Sequence, residues 1–191
     1  MSRVFLREGI SGELVAADLF DSILDNHLED HEQYWKPLLA AQLVEHGHWN
    51  WRRKMEYYAS QLSYQSFALE YSGRTQGLMI VNTTRRCRIP TQANRHLVYV
   101  EYLEAAPWNR GSTPLLKGVG TVLIAAAIQL SRDEGNHGRI GLHSLPQADA
   151  FYRDRCGMTD LGPDVAYSSS FPLRYFEMTE SQAANYLNGS N

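Results

Sequence analysis

Two closely spaced glycines near the middle of the chain offer the clearest chemistry in the sequence. The run Lys117-Gly118-Val119-Gly120-Thr121 opens an apolar stretch whose spacing predicts a helix over Gly118–Glu134, with Gly135 as its C-terminal cap. The first turn of a helix leaves N–H groups without helical partners and carries partial positive charge, and glycine lets a diphosphate approach the backbone closely. Lys117 adds a cation. The segment predicts a phosphorylated anionic ligand, and the alternative is a pair of glycines that serve only packing.

Two familiar phosphate-binding motifs do not fit this segment. A P-loop requires Gly-Lys-Ser/Thr, but Lys117 precedes Gly118 and Val119 follows it. A dinucleotide-binding fingerprint requires a third glycine where this chain has Leu123, and no strand–helix–strand unit opens the chain before it. The ligand is therefore expected to be phosphorylated without being held by either motif.

The cysteines and histidines indicate neither a covalent intermediate nor a metal. Cys156 could act as a nucleophile beside His143, but lone cysteines are among the most buried residues in proteins. His46 and His48 would share a face only on a strand, and no third ligand accompanies them. We therefore expect no acyl-cysteine and no metal.

Composition bounds the class of protein. The chain has 191 residues, of which 43% are apolar and 20% charged, and a formal charge of −3 from 18 Lys+Arg and 21 Asp+Glu, which excludes a polycation built to coat nucleic acid or membrane. Two cysteines, Cys87 and Cys156, are too few for a disulfide scaffold. The longest apolar run, Val122–Ile128, is far short of the ~20 residues that span a bilayer. We expect a cytoplasmic protein that does not bind membranes.

The pattern of the remaining chain predicts a mixed α/β (α+β) domain spanning residues 1–191. Residues 1–61 are expected to form a helical region, since Leu14, Ala17, Leu24 and others recur at helical spacing from Glu13 onward. Residues 64–178 are expected to form the ligand-binding core, and residues 180–191 a loose polar tail. The predicted strands of the core are Ser66–Tyr71, Gly77–Val81, Leu97–Leu103, Arg139–His143, Met158–Leu161 and Leu173–Met178.

The order of these elements resembles the GNAT superfamily of acyl-CoA N-acyltransferases over residues 64 to 178. The resemblance rests on four motifs: Gly73-Arg74-Thr75-Gln76-Gly77 in a hairpin, a strand ending Leu103-Glu104-Ala105-Ala106-Pro107, the helix start Gly118-Val119-Gly120, and Ala148-Asp149-Ala150-Phe151-Tyr152 followed by Cys156-Gly157-Met158. The chain departs from the family pattern at Leu115, where Arg or Gln is usual, in an inserted Gly111–Leu115, and at Leu145, where Asn is usual.

The resemblance implies a fold and a co-substrate. The fold is a GNAT-like mixed sheet in which two parallel strands splay apart, with pantetheine between them and the pyrophosphate on the glycine-rich helix start. The co-substrate is acetyl-CoA, without a metal. The residues that match the family's CoA-contacting positions are Leu103, Ala105, Arg110, Lys117, Gly118, Val119, Gly120, Thr121 and Tyr152.

The resemblance also implies an N-acetyltransferase and roles for a few residues. An amine with a pKa of about 10.4 needs a base near neutral pH, and Glu101 resembles the strand carboxylates that serve the family, with Glu104 in reserve. Tyr152 matches the tyrosine that protonates the leaving thiolate, and the Ala105 amide would polarise the thioester. The alternatives are a solvated carboxylate at Glu101 and a packing role for Tyr152.

The sequence does not identify the acceptor. Aromatic and basic residues alternate over Trp49–Tyr58, and Arg85, Arg86, Arg88 and Arg95 form a second basic group, so an RNA-borne amine is one candidate. The alternative is an amphipathic helix and a solvated basic hairpin. We expect a small amphipathic amine or a peptide terminus, and keep open a non-catalytic acyl-CoA-binding module, an enzyme acting on aminoacyl-tRNA, and a homodimer.

Overall fold

The computed structural model describes residues 1–42, 47–168 and 170–189, and it confirms the mixed α/β class. The strands are β1 (Ser2–Glu8), β2 (Leu14–Phe20), β3 (Tyr64–Tyr71), β4 (Arg74–Arg86), β5 (His96–Ala105), β6 (Leu116–Lys117), β7 (Ile140–Ser144), β8 (Thr159–Pro163) and β9 (Arg174–Met178). The α-helices are α1 (Asp25–Asp30), α2 (Lys36–Gln42), α3 (Trp51–Tyr58), α4 (Val119–Asp133) and α5 (Glu180–Gly189). Two π-helical turns cover His31–Trp35 and Phe151–Arg155.

The strands follow the order β6-β1-β2-β3-β4-β5-β7-β9-β8. Neighbours pair antiparallel between β1 and β2, β1 and β6, β2 and β3, β7 and β9, and β8 and β9. β5 and β7 are parallel, and their register runs from Val98 opposite Ile140 to Val100 opposite Leu142. Since β5 continues to Ala105, its last residues extend beyond this paired segment.

The prediction of a helical region over residues 1–61 is wrong for residues 1–24. Ser2–Glu8 form β1, Leu14–Phe20 form β2, and helix begins only at Asp25. β2 pairs antiparallel with β1, for example Val4 with Ala17. The apolar positions of Leu14–Phe20 fit either a helix or a strand, and strand preference depends on the partner that tertiary structure supplies. Here Ser2–Glu8 supplies it.

By its internal contacts the chain divides into two compact units, residues 1–80 with 102–123 and residues 81–101 with 124–191. The first unit has an aromatic core with Trp35 and Trp51 fully buried, against which Tyr64, Tyr102 and Trp108 pack. Its β3–β4 turn has positive φ at Ser72 and Gly73, as the predicted hairpin turn requires.

The second unit has an aliphatic core. The inward face of α4 buries Ala127 and Ile128, and the central strands bury Ile140, Leu142 and Phe176. α4 ends where the sequence predicts, since Gly135 has a φ of +73° and its N–H donates to Arg132 O.

The prediction of a loose polar tail is wrong for the described part of residues 180–191. Residues Glu180–Gly189 form α5, and Ala183 is fully buried. A reciprocal cap starts this helix, because Thr179 N donates to Gln182 Oε1 at 2.8 Å and Gln182 N donates to Thr179 Oγ1 at 3.3 Å. Thr-x-x-Gln is a sequence signature of a helix start, which the polar composition of the segment obscured.

Across the described ranges, the structure contains no helix long and apolar enough to cross a bilayer. The predicted helical positions Leu43 and Val44, and the histidine His46, lie outside the described residues.

Candidate functional site

The glycine-rich helix start lies in the first unit and has the expected local geometry. Val122 N donates to Gly118 O at 2.9 Å, so the amides of Val119, Gly120 and Thr121 come before the first bond of the helical ladder. Gly118 has a φ of +95°, which an L side chain rarely adopts, while an added Cβ would meet only Leu6 Cδ2, at 3.8 Å. The need for glycine at this position is therefore conformational.

Packing in the first unit fixes where this helix begins. Val119 and Leu123 are buried, and a Cβ on Gly77 of β4 would lie 2.7 Å from Val119 Cγ1 and 2.9 Å from Leu123 Cδ1. Gly77 thus allows the first turn of α4 to lie close against the strand.

The residues just before the glycines form the short strand β6. Lys117 pairs with Arg7 and Leu116 with Glu8 of β1, while the Lys117 side chain stays exposed. The insertion at 111–115 returns to the same strand end, since Gly9 N donates to Leu115 O at 2.7 Å and a Cβ on Gly9 would overlap Pro114 O. The insertion therefore anchors the helix start to β1, which the sequence did not predict.

Glu104 is a buried carboxylate with several donors around it. It is 1% exposed, and Trp51 Nε1 donates to its Oε2 at 2.5 Å. Arg110 Nη2 lies 3.4 Å from Oε1, and Nε2 of the buried His31 lies 3.5 Å from Oε2. A carboxylate held in this way stabilises the first unit only while its partners are present.

Arg110, predicted to contact CoA, directs its guanidinium at the protein. Its Nη2 and Nε donate to Ala105 O at 2.7 Å and 3.1 Å, besides the contact with Glu104. Burial lowers the pKa of Arg110, and the Glu104 charge opposes that shift. Leu103 and Ala105 are partly buried at the end of β5. The arginine therefore fixes the carbonyl of the strand's last residue.

Glu101, the preferred base, lies in the second unit. Its carboxylate is 10% exposed, and Arg85 Nη2 lies 3.4 Å from its Oε1. The same guanidinium lies 5.5 Å from the ring centre of Tyr99. Tyr99 and Glu101 thus share the neighbour Arg85, as expected for residues two apart on one face of a strand.

A tyrosine–histidine–aspartate relay in the second unit was not predicted. Tyr99 Oη lies 2.5 Å from His143 Nδ1, and His143 Nε2 lies 2.9 Å from Asp164 Oδ2. Burial lowers the pKa of His143, which Asp164 opposes, and hydrogen bonds from Arg88 and His143 hold the pKa of Asp164 well below its usual range. A neutral imidazole therefore donates from Nε2 to Asp164 and accepts a hydrogen bond from the Tyr99 hydroxyl at Nδ1.

Only part of this relay could be predicted from the sequence. Tyr99 and His143 both fall on predicted strands, but only the parallel register that sets Tyr99 opposite Gly141 brings them together. A Cβ on Gly141 would lie 2.6 Å from Tyr175 Oη, so this glycine makes room for a further tyrosine on the same face. Asp164 follows β8 in a segment with no recognisable pattern.

Tyr152 and the two cysteines are buried. Tyr152 is 7% exposed on the second π-helical turn, and burial raises its pKa, so the phenol is protonated at neutral pH. Burial also raises the pKa of the Cys156 thiol to about 12 and that of Cys87 to about 11. These thiols lack the thiolate character of a nucleophile.

Two basic residues of α3, Arg52 and Lys54, have partners within the first unit. Arg52 Nε donates to Glu32 Oε1 at 3.1 Å, and Lys54 Nζ lies 3.2 Å from the ring centre of Tyr102. Among the described residues no cluster of three potential metal ligands occurs. The alternation of aromatic and basic residues here is accounted for by packing and ion pairs.

Comparisons with known proteins identify the fold. No family model and no curated protein matches the chain. A GNAT-family acetyltransferase structure from Desulfovibrio desulfuricans is similar to this chain, with a TM-score of 0.60 and 12% identity. The match covers 86% of this chain and 99% of that acetyltransferase. A chimera of the Vibrio cholerae spermidine N-acetyltransferase SpeG and hSSAT is similar to 90% of the chain, covering 98% of its own, with a TM-score of 0.57 and 18% identity. The Bacillus subtilis N-acetyltransferase YlbP in complex with coenzyme A is similar to 85% of the chain, covering 95% of its own, with a TM-score of 0.54 and 12% identity. The chain therefore has the fold of the GNAT superfamily of acyl-CoA N-acyltransferases.

Proposed function

We propose that the protein is an acetyl-CoA-dependent N-acetyltransferase that moves the acetyl group directly to a primary amine of a small molecule or peptide. The observation that carries the proposal is the start of α4, where Gly118 at positive φ leads directly into the first-turn amides of Val119 and Gly120. Such amides and the helix dipole favour a diphosphate. The similarity to a fold that holds coenzyme A in a solved relative supports this ligand.

In this proposal the co-substrate is held by both backbone and side chains. The amides of Val119, Gly120 and Thr121 bind the pyrophosphate, Lys117 adds its charge, and Leu103 contacts the pantetheine. The amide of Ala105 polarises the thioester carbonyl, where charge develops as the amine attacks. Arg110 acts as a positioning residue, because it holds the Ala105 carbonyl at 2.7 Å.

Glu101 is the proposed base. The incoming ammonium must lose a proton before its nitrogen can attack, and a carboxylate on β5 can take that proton directly or through water. Glu104 was the reserve candidate, but its oxygens already lie beside Trp51, His31 and Arg110 in a site closed to solvent. Glu101 retains partial exposure and is the better choice.

The reaction balances without a covalent enzyme intermediate. The ammonium gives one proton to Glu101, which later releases it to solvent, and the neutral amine nitrogen forms a bond to the acetyl carbon. As the tetrahedral intermediate collapses, the carbon–sulfur bond breaks and the leaving thiolate takes a proton from the Tyr152 hydroxyl, which burial keeps protonated. The second proton of the nitrogen passes through water to the Tyr152 oxygen and restores the phenol. Direct attack accords with the buried, protonated thiol of Cys156, which is 3% exposed.

The test is release of the free CoA thiol from acetyl-CoA, followed with a chromogenic disulfide, across polyamines, amino acids, aminoglycosides, peptides and aminoacyl-tRNA. We expect one class to be acetylated with initial-rate lines that intersect, as direct transfer requires. Parallel lines would indicate an acyl-enzyme and contradict the mechanism. Saturable acetyl-CoA binding without transfer to any acceptor would indicate a non-catalytic module.

A further inference from the structure

A cavity of about 220 Å³ in the second unit belongs to none of the CoA-binding elements proposed above. Its rim carries Arg85, Arg86 and Arg88. Tyr99, His143, Tyr167 and Tyr175 complete the lining. A molecule of water occupies about 30 Å³ in the liquid, so the cavity has room for a ligand of about the size of an amino acid.

The rim arginines offer hydrogen-bond donors at the mouth of the cavity. The Arg85 and Arg88 side chains are 57% and 49% exposed, whereas their carboxylate partners, Glu101 and Asp164, are 10% and 12% exposed. Arg86 Nη1 donates to a neutral acceptor, Asn94 O, at 2.7 Å. A ligand that enters therefore meets guanidinium groups first, and these bind carboxylates and phosphates through paired N–H groups.

Several contacts hold Arg88 in place within the second unit. Arg88 Nη1 lies 2.5 Å from Asp164 Oδ2, and its guanidinium carbon lies 4.1 Å from the ring centre of Tyr175. The backbone N–H of Arg88 donates to the buried Glu177 carboxylate at 2.6 Å. The arginine is therefore held in place before any ligand arrives, which lowers the ordering cost of binding.

The deeper part of the cavity suits an amine. The Tyr99 hydroxyl donates its hydrogen bond to His143 Nδ1, so toward other groups the phenol oxygen acts as an acceptor. The ring of Tyr167 stacks on His143 at 3.9 Å between centres and adds a flat wall. Glu101 lies two residues beyond Tyr99 and shares Arg85 with it. The Tyr99 oxygen, an acceptor for an ammonium group, thus lies deeper than the arginine donors for an anion, and the Glu101 carboxylate lies beside the lining residue Arg85.

We infer that this cavity binds an acceptor amine that also carries a carboxylate or phosphate group, with the anion on Arg86 and Arg88 and the amine toward Tyr99 and Glu101. The inference rests on the proposed acetyltransferase function. It narrows the acceptor class to small zwitterions and disfavours polyamines, which carry no anionic group for the arginines to bind.

The test is calorimetric titration of the full chain without acetyl-CoA, with two matched pairs of probes. L-phenylalanine is compared with phenethylamine, and O-phosphoethanolamine with ethanolamine, so that each pair differs by its anion and the two pairs distinguish carboxylate from phosphate. We expect at least one anion-bearing member to bind about tenfold more tightly than its partner. Equal affinity within both pairs, or no saturable binding by any probe at millimolar concentration, would overturn the inference.

Variants locate the site. Arg86→Gln and Arg88→Gln should each weaken binding of the anion-bearing probe about tenfold. Arg153→Gln is the matched control, because Arg153 is also an exposed arginine, 45% exposed and 2.8 Å from Asp160, but does not line the cavity. An equal effect of the control, or no effect of both rim variants, would contradict the assignment. If loss of the Arg88 ion pair unfolds the chain, the Arg86→Gln variant still tests the site.

Measurements of acetyl transfer distinguish a failure of this inference from a failure of the proposed function. With acetyl-CoA present, Arg86→Gln should raise KM for the anion-bearing amine and leave kcat unchanged. Acetylation of phenethylamine or ethanolamine in preference to its anionic partner would overturn the inference while leaving the acetyltransferase intact. Failure of acetyl-CoA to bind would remove the proposed function, while the anion preference measured without it would still stand or fall alone.

Discussion

The hydroxyl group of Tyr99 and Nδ1 of His143 lie 2.5 Å apart, across the parallel strands β5 and β7. The contact fixes the imidazole tautomer, because Nε2 on the other side of the ring donates to Asp164 at 2.9 Å. It also leaves the tyrosine oxygen as an acceptor two residues from Glu101. The Tyr99 hydroxyl and the Glu101 carboxylate, both protonatable, thus lie on the part of β5 that belongs to the second unit.

The first prediction concerns the close approach of Gly77 to α4. Gly77→Ala should lower the free energy of unfolding by about 1–3 kcal/mol, because its Cβ would overlap Val119 and Leu123 side chains. Urea unfolding measures the change. Gly189→Ala is the control, since an added Cβ there meets nothing within 4 Å. Equal stability of Gly77→Ala and the natural protein would contradict the packing described for the helix start.

A second prediction separates the two glutamates of β5. Glu104→Gln should destabilise the protein by roughly 3 kcal/mol, because Arg110 and its neighbours would lose a buried charge partner. Glu101→Gln should lower stability by less than Glu104→Gln does, because its arginine partner is 57% exposed, yet reduce kcat by about 100-fold. Thermal unfolding and steady-state kinetics are measured on both variants. A Glu101→Gln enzyme with full activity would remove this residue from the mechanism.

A third prediction follows from the burial of His143. Its pKa is lowered by burial and by the charges of Arg88 and Arg85, against the opposing effect of Asp164, so the unfolded chain binds a proton more readily than the folded one. Stability should therefore fall as the pH drops through the unfolded value of about 6.5. His143→Gln should flatten this fall in melting temperature. Burial also lowers the pKa of His27, so some slope should remain. An unchanged slope would argue against a neutral buried imidazole.

The fourth prediction concerns the thiols. Burial raises the pKa of Cys87 to about 11 and that of Cys156 to about 12, so neither should react with an aromatic disulfide reagent at pH 8 in the native protein. Both should react after denaturation. Cys156→Ser should retain transfer activity. Rapid native labelling accompanied by loss of activity would reopen the acyl-cysteine mechanism.

The sequence predicted the parts of the fold whose signals are local. Gly118 and Gly135 at the two ends of α4, and Ser72 and Gly73 in the β3–β4 turn, adopt positive φ. Such positions can be recognised from the residue types in a short stretch of sequence. The strand β2 could not be recognised in this way, because its helical and extended patterns are equally good until β1 pairs with it.

In the candidate site, too, the local features could be predicted and the tertiary contacts could not. The helix start and the strand bearing Glu101 could be predicted from residue spacing. The burial of Glu104 beside Arg110 depends on Trp51 and His31, which are distant in sequence. Alternation along a strand gives the face of a residue and not what covers that face. The relay through His143 and Asp164 required the β5–β7 register and a loop contact, neither of which sequence spacing encodes.

The most direct test of the central proposal follows the backbone amides of residues 119–121 by NMR while acetyl-CoA is added, with pantetheine as a control that lacks the pyrophosphate. The account predicts saturable shifts of these amide signals with acetyl-CoA and none of that size with pantetheine, because the diphosphate binds the helix start. Unmoved signals at saturating acetyl-CoA, or identical shifts with both compounds, would contradict it.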